Sequence, residues 1–179
     1  MKTLIALIVS VLMSVTVFAG MTEMEKAYAS RDYTALISEA KTIIADADAS
    51  VENKAAAQNY IGQSYINQKE YAKAIIECQK TIDNYPKVKA QCIIALCLVG
   101  VCYENMDKPV EAQEIFVEIC KMQKAPLNIT ASAFSHLDKV ALGKEAYLEL
   151  IDTMLLGIPS TDENSHFLGV LKSEQVKFE

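Results

Sequence analysis

Apolar residues follow a helical spacing along most of this 179-residue chain. From about residue 20 to the C-terminus they recur every three or four positions, the period at which side chains share one face of an α-helix. No run alternates apolar and polar residues between turn dipeptides, as a half-buried strand would. Only six glycines and four prolines interrupt the pattern. The sequence therefore predicts an all-α fold of helices joined by turns.

A short motif recurs within this helical pattern. An apolar residue and a glycine, Ile61-Gly62 and Val99-Gly100, are each followed by a tyrosine three positions later. The step from Gly62 to Gly100 is 38 residues. An alanine twelve residues beyond each glycine, and a cysteine or phenylalanine four residues later, complete the two copies: Tyr65, Ala74 and Cys78 in the first, Tyr103, Ala112 and Phe116 in the second. Since a fixed period is typical of repeat architectures, the chain is predicted to be built from stacked helical units.

The motif residues are explained by packing. Gly62 and Ala74 are small, and they stand where two antiparallel helices would have to approach closely. Tyr65 and Tyr103 can pack in a seam between helices while their hydroxyl groups stay near a polar partner. We therefore interpret these positions as structural and look elsewhere for a binding surface.

The pattern resembles the tetratricopeptide repeat, a helix-turn-helix unit of about 34 residues with a leucine-glycine, a tyrosine, an alanine, a phenylalanine and a closing proline. Residues 55–88 match it best, with Pro86 closing the unit, and residues 93–126 match nearly as well. Units near residues 17–50 and 127–160 are placed by the spacing of the repeat alone, and most of their motif positions hold other residues. Terminal repeats, which have a single neighbour, can diverge in this way. The resemblance implies a right-handed α-solenoid of antiparallel helix pairs, with about four repeats, two clear and two degenerate.

Residues 1–19 have the pattern of a secretory signal peptide. Lys2 gives a positive start, residues 4–18 are apolar, and Ala19 is a small residue at the expected cleavage position. The apolar run of about fifteen residues is shorter than the roughly twenty that span a bilayer as a helix. We expect cleavage after Ala19 and an exported mature chain, periplasmic or secreted, without a membrane span. An uncleaved anchor is the alternative.

The repeat region, residues 20–160, is followed by a C-terminal tail at residues 161–179. Asp162 is suited to cap a short helix in this tail. The helix would carry four apolar residues, Phe167, Leu168, Val170 and Leu171. It is therefore a candidate to cover apolar surface on the repeats.

A partner-binding groove is implied by the family resemblance, because the first helices of successive repeats line a concave surface there. In the repeat at residues 55–88 the resemblance assigns Asn59, Gln63 and Asn67 to this groove. Their four-residue spacing puts three amides on one helical face, where they can hydrogen-bond an extended peptide. A neutral stripe facing solvent explains the same residues without a partner.

The first helix of the next repeat is unusual, since residues 92–103 include no charged residue. The family frame places Ile94, Cys97 and Val101 on its groove side. At about 25 cal/mol per Å², burying three such side chains is worth several kcal/mol, so they need a cover. Either an apolar partner supplies it or the tail does. The groove also lacks the lysines and arginines with which some family members clamp a C-terminal carboxylate, so that activity is not expected.

Five cysteines suggest a different class of function: Cys78, Cys92, Cys97, Cys102 and Cys120. All lie in the mature chain, and an oxidising compartment would allow some of them to pair. No Cys-x-x-Cys motif is present, and steps of five residues turn each of the middle three about 140° from the last, away from a shared metal-binding face. Buried free thiols explain them, and a thiol-dependent redox role is the alternative.

Catalytic signals are absent from the sequence. His136 and His166 each follow a serine, but adjacent residues on a helix point apart and cannot form a nucleophile-base pair. The zinc-protease helix, the nucleophile elbow and the phosphate-binding loop are all missing. We therefore predict no enzyme activity, no metal and no cofactor.

Charge narrows the class of partner. The chain has 23 acidic against 17 basic residues and a single arginine, Arg31, which disfavours binding to nucleic acid. The sequence thus predicts a non-enzymatic scaffold of the cell envelope that binds a protein partner in a helical groove. The alternative is a self-assembling structural repeat protein, a homo-oligomer joined through an end repeat or the tail.

Overall fold

A computed structural model describes residues 21–178, and all regular secondary structure in this range is helical. The helices are α1 Met21–Ala29, α2 Tyr33–Ala45, α3 Val51–Asn67, α4 Tyr71–Asn84, α5 Lys89–Asn105, α6 Pro109–Lys121, α7 Leu127–Ser135, α8 Lys139–Leu142, α9 Lys144–Gly157 and α10 Ser165–Phe178, with a 3-10 turn at Asp162–Asn164. The all-α prediction is confirmed for this part of the chain. The predicted signal peptide at residues 1–19 lies outside the described residues, and the handedness of the solenoid stays a prediction.

Several helices begin at the residues whose chemistry favours a helix start. Asp32 accepts a hydrogen bond from the Ala35 N–H at 2.9 Å before α2, and Ser50 accepts one from the Asn53 N–H at 3.1 Å before α3. Each satisfies one of the N–H groups that a first helical turn leaves without a partner. Pro109, which has no N–H, is the first residue of α6.

The same turn follows α1, α3 and α5. It contains a non-glycine residue in the left-handed region, Arg31 (φ 59°), Lys69 (φ 62°) and Asp107 (φ 60°), at steps of 38 residues. The next residue donates its N–H to the carbonyl five positions back in each case: Asp32 to Ala27 at 2.9 Å, Glu70 to Tyr65 at 2.8 Å, and Lys108 to Tyr103 at 3.0 Å. These are three Schellman caps. The 38-residue period therefore extends to the pair α1–α2, where the motif residues are missing.

The chain forms two compact units that divide between Ala112 and Gln113. In the N-terminal unit, described over residues 21–112, consecutive helices pack in pairs, and α3 is central because it contacts α2, α4 and α5. A core of buried side chains joins the first three helices: Met24, Ala27, Leu36, Ala40, Ala57, Tyr60 and Ile61. The pairs thus share one apolar core within this unit.

The helices α3 and α4 approach closely at Gly62. A Cβ atom built on Gly62 would lie 2.6 Å from the Cys78 Sγ and 3.5 Å from the Ala74 carbonyl oxygen. Cys78 and Ala74 are both fully buried. Gly62 is therefore required by contact with α4, and a cysteine stands in the phenylalanine position of the motif within this narrow gap.

The C-terminal unit, described over residues 113–178, is held by aromatic contacts. Phe134 of α7 stacks on Tyr147 of α9, with ring centroids 5.8 Å apart, and meets Phe167 of α10 edge-on at 6.0 Å. Leu168 and Leu171 of α10 are buried. The tail is thus a full helix, longer than the short capping helix predicted from sequence, and it packs on α7 and α9.

One position of the predicted repeat pattern does not hold in this unit. The frame places Ala146 in the buried alanine position, but Ala146 is exposed and its neighbour Tyr147 is buried. The short helix α8 and Gly143, whose φ is 82°, lie between α7 and α9. Asp138 fixes the start of α8 by accepting hydrogen bonds from the N–H groups of Val140 and Ala141.

The contact at Gly62 gives a double-mutant prediction. Gly62→Ala should lower the free energy of unfolding by about 1–2 kcal/mol, because its methyl group overlaps the Cys78 sulfur. In a Cys78→Ala background the same substitution should raise it by up to about 1 kcal/mol, since alanine favours a helix interior over glycine. Urea denaturation of the four proteins measures the coupling. If Gly62→Ala changes the free energy of unfolding equally in both backgrounds, the close contact between Gly62 and Cys78 is contradicted.

Candidate functional site

The three predicted groove amides lie on α3, and the structure gives each a different environment. Asn59 is 1% exposed, Gln63 is 2% exposed, and Asn67 at the end of the helix is exposed. Their spacing places them along one face of α3, as predicted, but they do not form a continuous polar surface open to a peptide.

Asn59 is engaged inside the N-terminal unit. Its Nδ2 donates to the backbone oxygen of Gln91 at 2.9 Å and to the Gln91 Oε1 at 2.8 Å. Its Oδ1 accepts a hydrogen bond from the Thr81 hydroxyl at 2.8 Å, and Thr81 is fully buried. The role predicted for Asn59, hydrogen bonding to a peptide, is therefore corrected: both ends of its amide are used to join α3 to α4 and α5.

Gln63 has a polar atom left over. Its Oε1 is buried and has no hydrogen-bond partner within the part of the chain that is described. A buried acceptor without a partner costs about 1–3 kcal/mol, so few are kept in folded proteins. Of the three amides, Gln63 is the one with a buried acceptor that no described bond accounts for, whereas the exposed Asn67 forms a side-chain hydrogen bond with Tyr28 of α1.

The apolar residues assigned to the groove lie on α5. Ile94 is half-buried, whereas Cys97 and Val101 are 2% and 5% exposed. A charged substitution at Val101 would therefore damage the fold as well as any binding surface. Ile94 is the member of this set at which a substitution tests binding with the least structural cost.

The tail helix α10 is anchored in the C-terminal unit by a carboxylate. Glu174 is mostly buried, and its Oε2 accepts hydrogen bonds from Lys139 and, at 3.1 Å, from the Tyr147 hydroxyl. Its Oε1 accepts from Lys177 at 2.6 Å. The hydrogen bonds from Lys139 and Lys177 lower the pKa of Glu174 from 4.5 to about 2. Burial, together with the Glu174 carboxylate, raises the pKa of Tyr147.

That the tail covers Ile94, Cys97 and Val101 stays one of the two alternatives predicted from the sequence.

None of the five cysteines is in a disulfide within the described part of the chain, and four of them are buried. Burial raises the pKa of the Cys102 thiol to about 12 and also raises the pKa values of Cys78 and Cys92. The thiolate is the reactive form, so these three thiols are held in their unreactive state at neutral pH. Cys92, which is half-buried, donates its S–H to the Tyr85 carbonyl at 3.3 Å.

The two histidines lie in different surroundings. His136 stacks on Phe116 with ring centroids 4.7 Å apart, and His166 is exposed near the start of α10. Within residues 21–178, no three histidine, cysteine or acidic side chains come together in a way that could hold a metal ion. Among the described helices, none has the length and apolar character needed to cross a membrane.

Comparison with known families identifies the central helix pair. Residues 56–87 match the sequence profile of the tetratricopeptide repeat, a segment that covers most of α3, all of α4 and the turn after it. The match includes Gly62, Cys78 and the amides on α3. No curated protein matches the chain. No solved structure matches it either. The predicted tetratricopeptide repeat is thus confirmed for residues 56–87.

The Glu174 anchor predicts a pH-dependent stability. Because the folded-state pKa is lowered, the stabilisation is complete above the ordinary pKa of 4.5 and is lost as the pH falls towards about 2. Glu174→Gln should lower the free energy of unfolding by about 1–2 kcal/mol at pH 7, after allowance for the exposed lysines. Denaturation of the variant and of the wild type between pH 7 and pH 2 measures the difference.

The exposed Glu163 provides the control, since Glu163→Gln should leave stability unchanged at each pH. A Glu174→Gln effect that stays the same from pH 7 to pH 2 would show that the charge on Glu174 is not the source of the stabilisation.

Proposed function

We propose that this chain, whose residues 56–87 match the tetratricopeptide repeat, is a non-enzymatic scaffold that holds a segment of a partner protein. Repeats of this type are protein-interaction modules, and this match is the observation that carries the proposal. The raised thiol pKa values weigh against the redox alternative.

We place the binding surface on the first helices of the central pairs, α3 and α5. With Asn59 engaged internally and Gln63 only 2% exposed, the residues accessible to a partner are Asn67 on α3 and Ile94 on α5. Cys97 and Val101 form the buried base behind them. The exposed amide of Asn67 and the uncharged stretch at residues 92–103 of α5 suit a partner segment that is itself uncharged, with a backbone group to pair with the amide.

The proposed partner is a protein and not a nucleic acid, given a net charge of −6. We further propose that the scaffold works outside the cytoplasm, in the cell envelope or as a secreted protein. The support is the pattern at residues 1–19, with Lys2 before an apolar run that ends at Ala19.

Site-specific photo-crosslinking in the native host tests the proposal. A photoreactive residue at Ile94 should capture one partner protein, because Ile94 is accessible on the proposed surface. The matched control is Ile76, which is 58% exposed on α4, the second helix of its pair, and should not capture that partner. With the identified partner purified, Ile94→Asp should raise the Kd at least about tenfold, a change of about 1.4 kcal/mol.

Capture of the same proteins from Ile76 and Ile94 would contradict the proposed surface. Crosslinks between copies of this chain alone would favour self-assembly instead. An Ile94→Asp protein that is folded by circular dichroism but binds with unchanged Kd would remove α5 from the binding surface.

A further inference from the structure

The helix α5 has no polar face to determine its orientation. Six consecutive residues, 97–102, are buried, which is more than one full turn of 3.6 residues. An amphipathic helix turns its apolar stripe towards the core and is thereby fixed in rotation. Because α5 is apolar in every direction along this stretch, hydrophobic burial alone does not select which of its faces meets α3.

One buried side chain supplies a directional contact to α5. Asn59 of α3 donates both of its amide hydrogens to Gln91, one to the backbone oxygen at 2.9 Å and one to the Oε1 at 2.8 Å. Gln91 lies in the first turn of α5. Hydrogen bonds have narrow distance and angle requirements, so this pair of bonds is satisfied in one rotation and one axial position of α5.

The same amide is held from the other side by α4. The Thr81 hydroxyl donates to the Asn59 Oδ1 at 2.8 Å, which fixes the plane of the amide and directs its two hydrogens towards α5. Asn59 and Thr81 are both buried, at 1% and 0% exposed. Three helices from two successive pairs therefore meet at one amide.

We infer that Asn59, oriented by Thr81, selects the rotation and register of α5 on the pair α3–α4. A single buried asparagine has this role in coiled coils, where it fixes register and costs stability. The inference concerns how the two central pairs are stacked, and it does not depend on the identity of a partner or on the proposed function.

The test replaces the buried polar side chains of Asn59 and Thr81 with apolar side chains of the same shape. Asn59→Leu and Thr81→Val keep the number of side-chain heavy atoms, and the half-buried Gln91 can bond to water in the absence of Asn59. The full-length double variant should keep its Tm within about 5 °C of the wild type, because a satisfied polar network and an apolar core of the same shape have similar stabilities.

The amide signals of Gly62 and Gly100 in an ¹⁵N-labelled sample report on α3 and α5 separately. In the wild type each should give one signal. In the double variant Gly62 should keep a single signal, while Gly100 splits into two or more signals or broadens beyond detection, because α5 then occupies more than one register.

The matched control is Gln58→Leu. Gln58 is a buried amide of α3 that bonds to the Glu77 side chain at 2.7 Å, so it joins α3 only to α4. This variant should leave Gly100 as a single signal. Splitting of Gly100 in the control would overturn the inference, since the effect would follow from the loss of any buried amide.

Two further results would overturn it. A single sharp Gly100 signal in the double variant, at any Tm, would show that α5 finds its register without Asn59. Splitting of Gly62 and Gly100 together would show general disorder of the unit. If the double variant does not fold, Gln91→Leu provides the second test, because it removes only the side-chain bond on α5. In this variant the Gly100 signal should split or broaden. A single sharp Gly100 signal would overturn the inference.

Discussion

The close approach of α3 and α4 at Gly62 is the constraint from which the arrangement of the N-terminal unit follows. With the Cys78 sulfur only 2.6 Å from where a Cβ atom would stand, the two helices lie nearer to each other than side chains at this position would allow. That distance brings Thr81 within hydrogen-bonding range of Asn59, and Glu77 within range of Gln58. The matched repeat is thus a closely packed pair, and its Asn59 amide bonds to the helix that follows.

The amides on α3 show how one residue type has different roles on one helical face. Asn59 joins helices, Gln63 keeps a buried acceptor without a described partner, and Asn67 is exposed. A polar group kept inside a core costs free energy unless it is bonded, and for Asn59 every bond is supplied by the neighbouring helices. The proposed binding surface therefore lies on the exposed Asn67 at the end of α3 and on Ile94 of α5.

Much of this architecture was predictable because it depends on local pattern. The 38-residue period, the helix pairs and the packing role of Gly62 all follow from the spacing of small and apolar residues. The Schellman cap at Arg31 was not predicted, since its αL position holds arginine and no glycine marks it. The role of Asn59 depends on Gln91, 32 positions away, and a spacing within one helix does not identify such a partner. The exposure of Ala146 was not predicted either, because α8 and Gly143 stand before α9 in place of a simple turn.

We infer that the pair α3–α4 and the helix α5 form one cooperative structure. The proposed partner binds on its surface. Hydrogen exchange of the full-length chain, followed by mass spectrometry, measures this most directly. Helices that open together exchange at one rate, and the most deeply packed exchange slowest. We expect the amides of α3, α4 and α5 to exchange together, and more slowly than those of α10. Exchange of α5 well before α3 and α4, or of all three before α10, would contradict the account.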